Sequence, residues 1–226
     1  MCPVCGKRLE LDERPLCLNC NIGLPRTMFW ENPYDNHMAR MYWGKIPVEK
    51  VAAYFYFRPK SGAARMVYDV KYHGRANIAI ELGEMIADEM EGFFDDIDCL
   101  IPLPISIGRR MKRGYNQSGM IVKGISKATG IPVVRHAVIR RTFDKSQTHL
   151  TREQRRENVN DVFVLKDADA LRNRHLLLVD DVVTTGATTI SCAEQMMKVE
   201  GAKISILSLG FAGNMRVPIE PESIKL

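Results

Sequence analysis

Hydrophobic residues along the chain form two kinds of pattern. The first is a short, nearly continuous apolar run bounded by proline, glycine or charged residues, which is typical of a buried β-strand. Six segments have this pattern, and we predict a strand in each: residues 51–57, 97–104, 131–134, 161–165, 175–180 and 203–210.

The second pattern repeats apolar residues at spacings of three and four, the period of an α-helix that buries one face. Gly74 interrupts the first such segment, while Asn116 and Gly130 bracket the second as its N-cap and its C-terminal stop. We predict helices at residues 63–90, 116–130 and 188–201, and a short helix that opens at the capping box of residues 151–154.

The alternation of strands and helices predicts an α/β fold, in which helices flank a mostly parallel sheet. Small molecules bind to such sheets at the carboxyl ends of the strands. We expect four regions: a four-cysteine zinc-binding module at 1–24, a linker and hood-like strand/helix region at 25–95, the α/β core at 96–212 and a C-terminal tail at 213–226.

Two C-x2-C pairs lie within the first twenty residues, formed by Cys2 with Cys5 and by Cys17 with Cys20. Each pair can turn two thiolates toward one centre, so the four predict a tetrahedral structural zinc site. Two disulfides or a redox pair are the alternatives. A reducing compartment opposes the disulfides, and the strand and helix that flank a redox C-x2-C are not predicted here.

The stretch LLLVDDVVTTGATT, at residues 176–189, joins a buried strand to two aspartates, Asp180 and Asp181, and then to a hydroxyl-rich loop. A helix follows, and a helix N-terminus with its free N–H groups favours an anion. Carboxylates accept hydrogen bonds from vicinal hydroxyls, so the combination predicts a ribose 5-phosphate site. The loop lacks the lysine of a Walker A motif and the spacing of a dinucleotide-binding turn. An ordinary strand–turn–helix corner is the alternative.

Composition adds limits to this interpretation. The chain has 226 residues, of which 46% are hydrophobic, enough for one α/β domain and a small module. No apolar run reaches the length of about 18 residues that a membrane-spanning helix needs, and no secretory signal is visible, so we expect a cytoplasmic protein. The net charge of +5 suits an anionic ligand.

Basic residues concentrate in two segments, residues 108–114 with four cations and residues 140–156 with six. A solvated basic face is the usual explanation of such runs. Beside a phosphate loop they also suit a second group of phosphate oxygens, because a guanidinium binds two oxygens at once. Both explanations stay open at this point.

The stretch at residues 176–189 resembles the signature with which type I phosphoribosyltransferases bind phosphoribosyl pyrophosphate (PRPP). Other stretches are similar to the ComF family, the competence-associated, phosphoribosyltransferase-like proteins: YDVKYHGR at 68–75, IPLPISIGRRMKRGYNQS at 101–118, RRTFDKSQTHLTREQRRENVNDVF at 140–163, and the four-cysteine knuckle with LPRT at 24–27. The resemblance covers nearly the whole chain and implies a type I phosphoribosyltransferase-like fold.

The resemblance also implies roles for particular residues. Asp180 and Asp181 would hold the ribose hydroxyls at the catalytic centre, and Mg²⁺ would accompany the pyrophosphate. The 5-phosphate would lie on Thr184, Thr185, Gly186, Ala187 and Thr188. The pyrophosphate loop and a mobile loop at 141–150 would offer Ile105, Ser106, Arg109, Arg113, Arg141 and Gln147, with Asn116 and Gln117 at the same mouth.

The implied activity is transfer of a 5-phosphoribosyl group, with a role in DNA uptake. The alternative is a non-catalytic PRPP sensor or a single-stranded-DNA-binding accessory protein of natural transformation. Besides PRPP, single-stranded DNA and proteins of the competence machinery are candidate partners, and the zinc module is a candidate docking unit. Four aromatic residues are candidates for stacking on bases, although each type is more often a packing residue: Tyr42, Trp43, Tyr72 and Tyr115.

Overall fold

The computed structural model describes residues 1–141 and 162–213. Three predictions therefore lie outside the described residues: the helix at the capping box of 151–154, the placement of Gln147 within the loop at 141–150, and the C-terminal tail from residue 214 onward. Among the described helices, none has both the length and the apolar character needed to cross a membrane.

The described elements alternate along the chain. The strands are β1 Val51–Tyr56, β2 Cys99–Pro102, β3 Val138–Arg140, β4 Phe163–Leu165, β5 His175–Val183 and β6 Lys203–Phe211. The helices are α1 Leu18–Ile22, a 3₁₀ turn at Ala39–Met41, α2 Gly62–Tyr72, α3 Ala76–Glu89, α4 Ile107–Arg113, α5 Gln117–Thr129 and α6 Ala187–Met196.

Four strands form the main sheet in the order β1-β6-β5-β2, and every pair is parallel. Helices cover the sheet, so the strands are buried on both faces, which explains why their sequences are continuous apolar runs rather than alternating ones. The predicted α/β fold with a mostly parallel sheet is confirmed. One of its strands, β1, comes before residue 96 and pairs with β6.

Several predicted elements differ in the structure. Residues 131–134 contribute a single bridge, from Val133 to Leu100, rather than a strand. The strand predicted at 161–165 corresponds to β4, which is not part of the parallel sheet. It pairs antiparallel with β3 in a separate two-stranded ribbon. Strand β5 continues past Asp180 to Val183, since β6 provides backbone partners along that whole length.

Helices α3 and α5 approach one another unusually closely. A Cβ built on Gly124 would lie 2.0 Å from the Ile80 carbonyl oxygen, and one on Gly83 would lie 2.2 Å from that of Ile121. Only glycine leaves room for this backbone contact. The contact matters for the site because α5 begins beside Asp180.

The irregular segment between α1 and β1 wraps around the edge of the sheet. Asn36 fixes it, since its side-chain amide donates to the Val51 carbonyl at 2.8 Å and its Oδ1 accepts from the backbone N–H of Ala39 at 2.9 Å. Arg26 also pairs with Glu89 of α3 at 2.6 Å. The segment thereby carries Tyr42 under the loop that follows β5.

Candidate functional site

The two aspartates lie where the sheet opens. Strand β2 ends at Pro102, opposite Val179 of β5, so Asp180 is the first residue of β5 beyond that neighbour. On its other side Asp180 still pairs with Ser208 of β6. A cleft at the carboxyl end of the parallel sheet therefore begins at the acidic pair, as ligand sites in such sheets do.

Asp180 is largely enclosed by protein. Its Oδ1 accepts hydrogen bonds from the backbone N–H of Asp181 at 2.7 Å and from the Ser118 hydroxyl at 3.4 Å. Burial, together with the negative charge of Asp181, raises the pKa of the Asp180 carboxyl to about 7. Near neutral pH this carboxyl is therefore poised between its charged and neutral forms.

Asp181 has a cationic partner that the sequence motifs do not indicate. The Lys71 ammonium, in the last turn of α2, lies 3.1 Å from Asp181 Oδ1, and the two side chains are 19% and 14% exposed. Lys71 belongs to the stretch 68–75, which resembles the ComF family but implies no role for this lysine. The sequence signal available was a lysine beside buried Val67 and Val70 on an otherwise amphipathic helix.

The loop after β5 forms the second half of the cleft. Gly186 has φ of +74° and is the residue before α6, so the chain turns there through a conformation that favours glycine. Thr184, Thr185, Ala187 and Thr188 are exposed. Together with Asp180, the loop lines a small cavity of about 40 Å³. The predicted ribose and phosphate residues are thus neighbours in space.

Two buried hydrogen bonds hold this loop on the protein side of the cleft. The Tyr42 hydroxyl lies 2.8 Å from the Thr189 hydroxyl, which in turn donates to the Gly186 carbonyl at 2.8 Å. Tyr42 is fully buried, so it is not available to stack on a base. The sequence predicts Tyr42 only as a candidate for base stacking and does not predict Thr189 as a site residue, because their meeting depends on the path of the irregular segment.

The predicted pyrophosphate loop follows β2. Ser106 caps α4, where its hydroxyl accepts from the Arg109 N–H at 3.4 Å, and Ile105 precedes it. Arg113 donates to the Gln117 side chain at 2.8 Å and lies over the Tyr72 ring at 5.5 Å. The short helix α4 was not predicted, and it carries the basic segment 108–114 on an exposed surface.

A cavity of about 370 Å³ lies between this loop, the start of α5 and strand β3. Arg110, Arg135 and Arg140 line it, and among the described residues none of the three has a carboxylate within 4.0 Å. Burial and nearby Arg109 lower the pKa of Arg140. Within the described part of the chain these three arginines thus have no carboxylate in an ion pair, which suits a phosphate-bearing ligand.

Of two further predicted residues, Asn116 lines this cavity and Arg141 follows Arg140, which also lines it. Asn116 donates from its side-chain nitrogen to the Leu103 carbonyl at 3.0 Å, which ties the start of α5 to the end of β2. Arg141 follows β3, and its backbone N–H donates to the Val162 carbonyl at 2.9 Å. The segment that begins there continues into residues outside the described part of the chain.

The four N-terminal cysteines converge on one point. Their Sγ atoms all lie within 4.8 Å of one another, and those of Cys5 and Cys17 are 3.6 Å apart. In a tetrahedral site with metal–sulfur bonds of about 2.3 Å, the sulfurs are about 3.8 Å apart. The cluster therefore has the donor set and nearly the spacing to hold a metal ion.

The cysteine module contacts helix α2 at the end opposite to Lys71. The Arg65 guanidinium donates to the Val4 carbonyl at 3.0 Å. A Cβ built on Gly62 would lie 2.5 Å from the Val4 side chain, so the first turn of α2 is packed directly against the module. One helix thus joins the cysteine cluster to the acidic pair.

Comparison with known proteins gives sequence relatives, whereas no protein-family model matches the chain. The DNA utilization protein YhgH of Escherichia coli O157:H7 is 25% identical over 216 residues, which are 92% of this chain and 89% of that protein. Competence protein F of Haemophilus influenzae is 30% identical over 116 residues, 51% of each.

A further relative is the amidophosphoribosyltransferase of Escherichia coli strain K12, 28% identical over 144 residues, which are 61% of this chain and 24% of that protein. Among solved structures, the glutamine PRPP amidotransferase from B. subtilis has a TM-score of 0.47 and 16% identity over 63% of this chain and 30% of that one. With its parallel α/β sheet and N-terminal four-cysteine cluster, the chain is a homologue of YhgH and of Competence protein F.

Proposed function

We propose that the protein binds PRPP and transfers its 5-phosphoribosyl group to an acceptor. The observation that carries the proposal is the small cavity at the carboxyl end of the sheet, which Asp180 lines together with the loop 184–188. Asp181 is the next residue of β5. The loop N–H groups and hydroxyls, together with the start of α6, suit the dianionic 5-phosphate. The carboxylates of Asp180 and Asp181 suit the two ribose hydroxyls as hydrogen-bond acceptors.

The pyrophosphate would extend from C1 of the ribose toward the loop after β2. Ile105 and Ser106 would offer backbone amides there, and the basic side chains near the cavity would neutralise the charge: Arg109, Arg113, Arg140 and Arg141. Gln147 belongs to the same proposed set but lies outside the described residues. Arginine is well suited to this role because its planar fork binds two phosphate oxygens.

Mg²⁺ bound to the pyrophosphate would supply further stabilisation of the leaving group. The oxygens of Asp180 fit such an ion through intervening water, whereas Lys71 occupies one oxygen of Asp181. Loop residues and arginines of this chain would orient the donor and exclude water from C1. We also propose that the ion at the four cysteines is zinc, because an all-thiolate tetrahedral set selects it and leaves no open coordination position.

The chemical step would break the bond between C1 and the pyrophosphate oxygen. The electron pair leaves with pyrophosphate, while the acceptor donates a pair to C1 and gives up its proton. Positive charge develops on the ribose in the transition state, so carboxylates held beside the sugar stabilise it electrostatically. We assign no residue to activate the acceptor, and a non-catalytic PRPP sensor would use the same binding residues.

Calorimetry with PRPP tests the proposal. The wild-type protein should bind PRPP in the presence of Mg²⁺, and the double variant Asp180→Ala with Asp181→Ala should lose that binding. Lys127→Met, which breaks an exposed ion pair with Glu84, is the control and should bind as the wild type does. A wild-type protein without measurable PRPP affinity would refute the proposal, since folding can be verified separately by circular dichroism.

We further propose a role in the use or uptake of DNA, because the relatives are named a DNA utilization protein and a competence protein. Single-stranded DNA is a second candidate ligand. An exposed aromatic row favours it: the Tyr68 and Tyr72 rings lie 6.3 Å apart on α2, and Arg113 lies over the second ring. Base–aromatic stacking beside cations is a general mode of single-strand binding.

A salt titration distinguishes real DNA binding from a merely basic surface. Binding to several phosphates should weaken steeply as salt rises. The variant Tyr68→Ser with Tyr72→Ser should weaken binding at every salt concentration without changing the slope, because it removes stacking and not charge. Equal affinity of this variant and the wild type for a single-stranded oligonucleotide would contradict the stacking role.

A further inference from the structure

Lys71 contributes a fixed positive charge to a site that already has its own acidic pair. Its ammonium contacts Asp181 Oδ1 at 3.1 Å, and less than a fifth of its side chain is exposed. Most lysines keep their ammonium in water, because burial removes the hydration of the charge and ordering the long side chain costs rotamer entropy. A lysine whose ammonium is held against a carboxylate in this way indicates that the site uses a positive charge at that position.

The backbone that carries Lys71 is held at several points. The Tyr115 hydroxyl donates to the carbonyl of Val70, the residue before it. Asp69, two residues earlier, accepts from Arg75 at 2.9 Å and bonds to the ring of His73 at 2.7 Å. The position of the ammonium is therefore set by the packing of the helix end and not by Asp181 alone.

Two adjacent carboxylates at a sheet edge are also the ligands that a hard divalent cation prefers. Mg²⁺ would need to lie about 2.0–2.1 Å from a carboxylate oxygen. The Lys71 ammonium already lies 3.1 Å from Asp181 Oδ1, so a divalent ion bound to that oxygen would be repelled by a positive charge a few ångströms away. One charge on Lys71 also offsets one of the two charges on the pair.

We propose that Lys71 is a specificity-determining residue that keeps free divalent cations off the acidic pair and reserves its oxygens for ribose hydroxyls. Mg²⁺ then enters the site only together with the pyrophosphate of the donor. The inference rests on the proposed function for the identity of the ligand. The exclusion of metal is a separate claim, because it concerns the protein without PRPP.

The test measures Mn²⁺ binding by electron paramagnetic resonance, with the four-cysteine cluster loaded and PRPP omitted. Wild-type protein should leave Mn²⁺ free. Lys71→Met, which keeps the length of the side chain but removes its charge, should gain a Mn²⁺ site at least tenfold tighter than any in the wild type. Adding Asp181→Asn to Lys71→Met should abolish that site, because one of its two carboxylates is gone.

Two controls separate this role from a structural one. Lys71→Arg keeps the charge and should still exclude Mn²⁺. Lys127→Met removes another lysine that pairs with a carboxylate, Glu84 at 2.8 Å, on an exposed surface, and it should leave Mn²⁺ binding as in the wild type. A lysine that only stabilised the fold would lower the melting temperature when replaced and would create no metal site.

Calorimetry with Mg²⁺ and PRPP completes the experiment. Lys71→Met should bind PRPP at least tenfold more weakly than the wild type, because metal now competes for the ribose oxygens. The proposal is overturned if Lys71→Met gains no Mn²⁺ site, or if its new site survives Asp181→Asn. Failure of the wild type to bind PRPP, with Mn²⁺ gained by Lys71→Met, would instead refute the proposed function and support the exclusion of metal.

Discussion

Replacing Asp180 by asparagine should stabilise the fold while it removes function. Asparagine has nearly the same shape, and its side-chain oxygen can still accept from the Asp181 N–H that Asp180 binds at 2.7 Å. The substitution removes only the charge, which burial and the neighbouring Asp181 make unfavourable. A charged group buried at a ligand site is often less than optimal for stability. Stability should therefore rise in this variant while ligand binding falls.

The magnitude follows from linkage between protonation and folding. The pKa of Asp180 is about 7 in the folded protein and 3.8 in a model compound. A carboxyl with a raised pKa binds its proton more tightly in the folded state, so its charge destabilises the fold increasingly as the pH rises from 4 to 7. At about 1.4 kcal/mol per pH unit, the upper limit is about 2 kcal/mol at pH 5 and about 4 kcal/mol at pH 8.

Urea denaturation of the wild type and Asp180→Asn at pH 5, 6, 7 and 8 measures this difference. The variant should gain stability relative to the wild type from pH 5 upward, and the gain should level off above pH 7. The control Asp181→Asn should lose stability instead, because it leaves Lys71 without its carboxylate partner. PRPP calorimetry should show weakened binding for Asp180→Asn despite its higher stability.

The reasoning is refuted if Asp180→Asn is no more stable than the wild type at pH 8, or if its advantage is the same at pH 5 and pH 8. The first result would mean that Asp180 is not desolvated. The second would mean that the substitution acts through packing and not through charge, since only a titrating group gives a pH-dependent difference.

Three further predictions follow from contacts of the described residues. Tyr42→Phe removes the hydroxyl bonded to Thr189; it should cost about 1 kcal/mol in urea denaturation and weaken PRPP binding measured by calorimetry, whereas the exposed Tyr34→Phe should change neither. Gly124→Ala places a Cβ 2.0 Å from a backbone oxygen of α3, so it should destabilise the fold by about 1–3 kcal/mol in thermal denaturation. The control Gly108→Ala has open space around the new Cβ and should keep the wild-type melting temperature. An unchanged melting temperature of Gly124→Ala would contradict the close contact between the helices. Cys5→Ser should abolish stoichiometric zinc in atomic absorption and lower stability, whereas Cys192→Ser should retain zinc.

Much of the fold could be predicted because local sequence patterns indicate most of its strands and helices. Continuous apolar runs identified the buried parallel strands β1, β2, β5 and β6, since a strand covered on both faces needs no polar alternation. Helical spacing and a glycine break separated α2 from α3, and Gly130 marked the end of α5. The spacing of the cysteines was sufficient to predict that four thiols meet.

The predictions for other strands were wrong because the tertiary structure decides which strands pair with one another. The run at 161–165 is as suitable for a parallel strand as for β4, and only the position of β3 decides that it joins an antiparallel ribbon. The length of β5 likewise depends on β6, which continues to pair beyond Asp180. Local sequence contains no information about how far a neighbouring strand extends.

The sequence by itself determined the loop 184–188 and the acidic pair before it, because a strand end, two carboxylates and a helix start are adjacent along the chain and remain adjacent in space. Only the tertiary structure decided which distant groups complete them. Tyr42 reaches Thr189 across 147 residues, and Lys71 reaches Asp181 from another helix. These contacts depend on how whole helices and loops pack against the sheet, and this packing cannot be inferred from any single stretch of sequence.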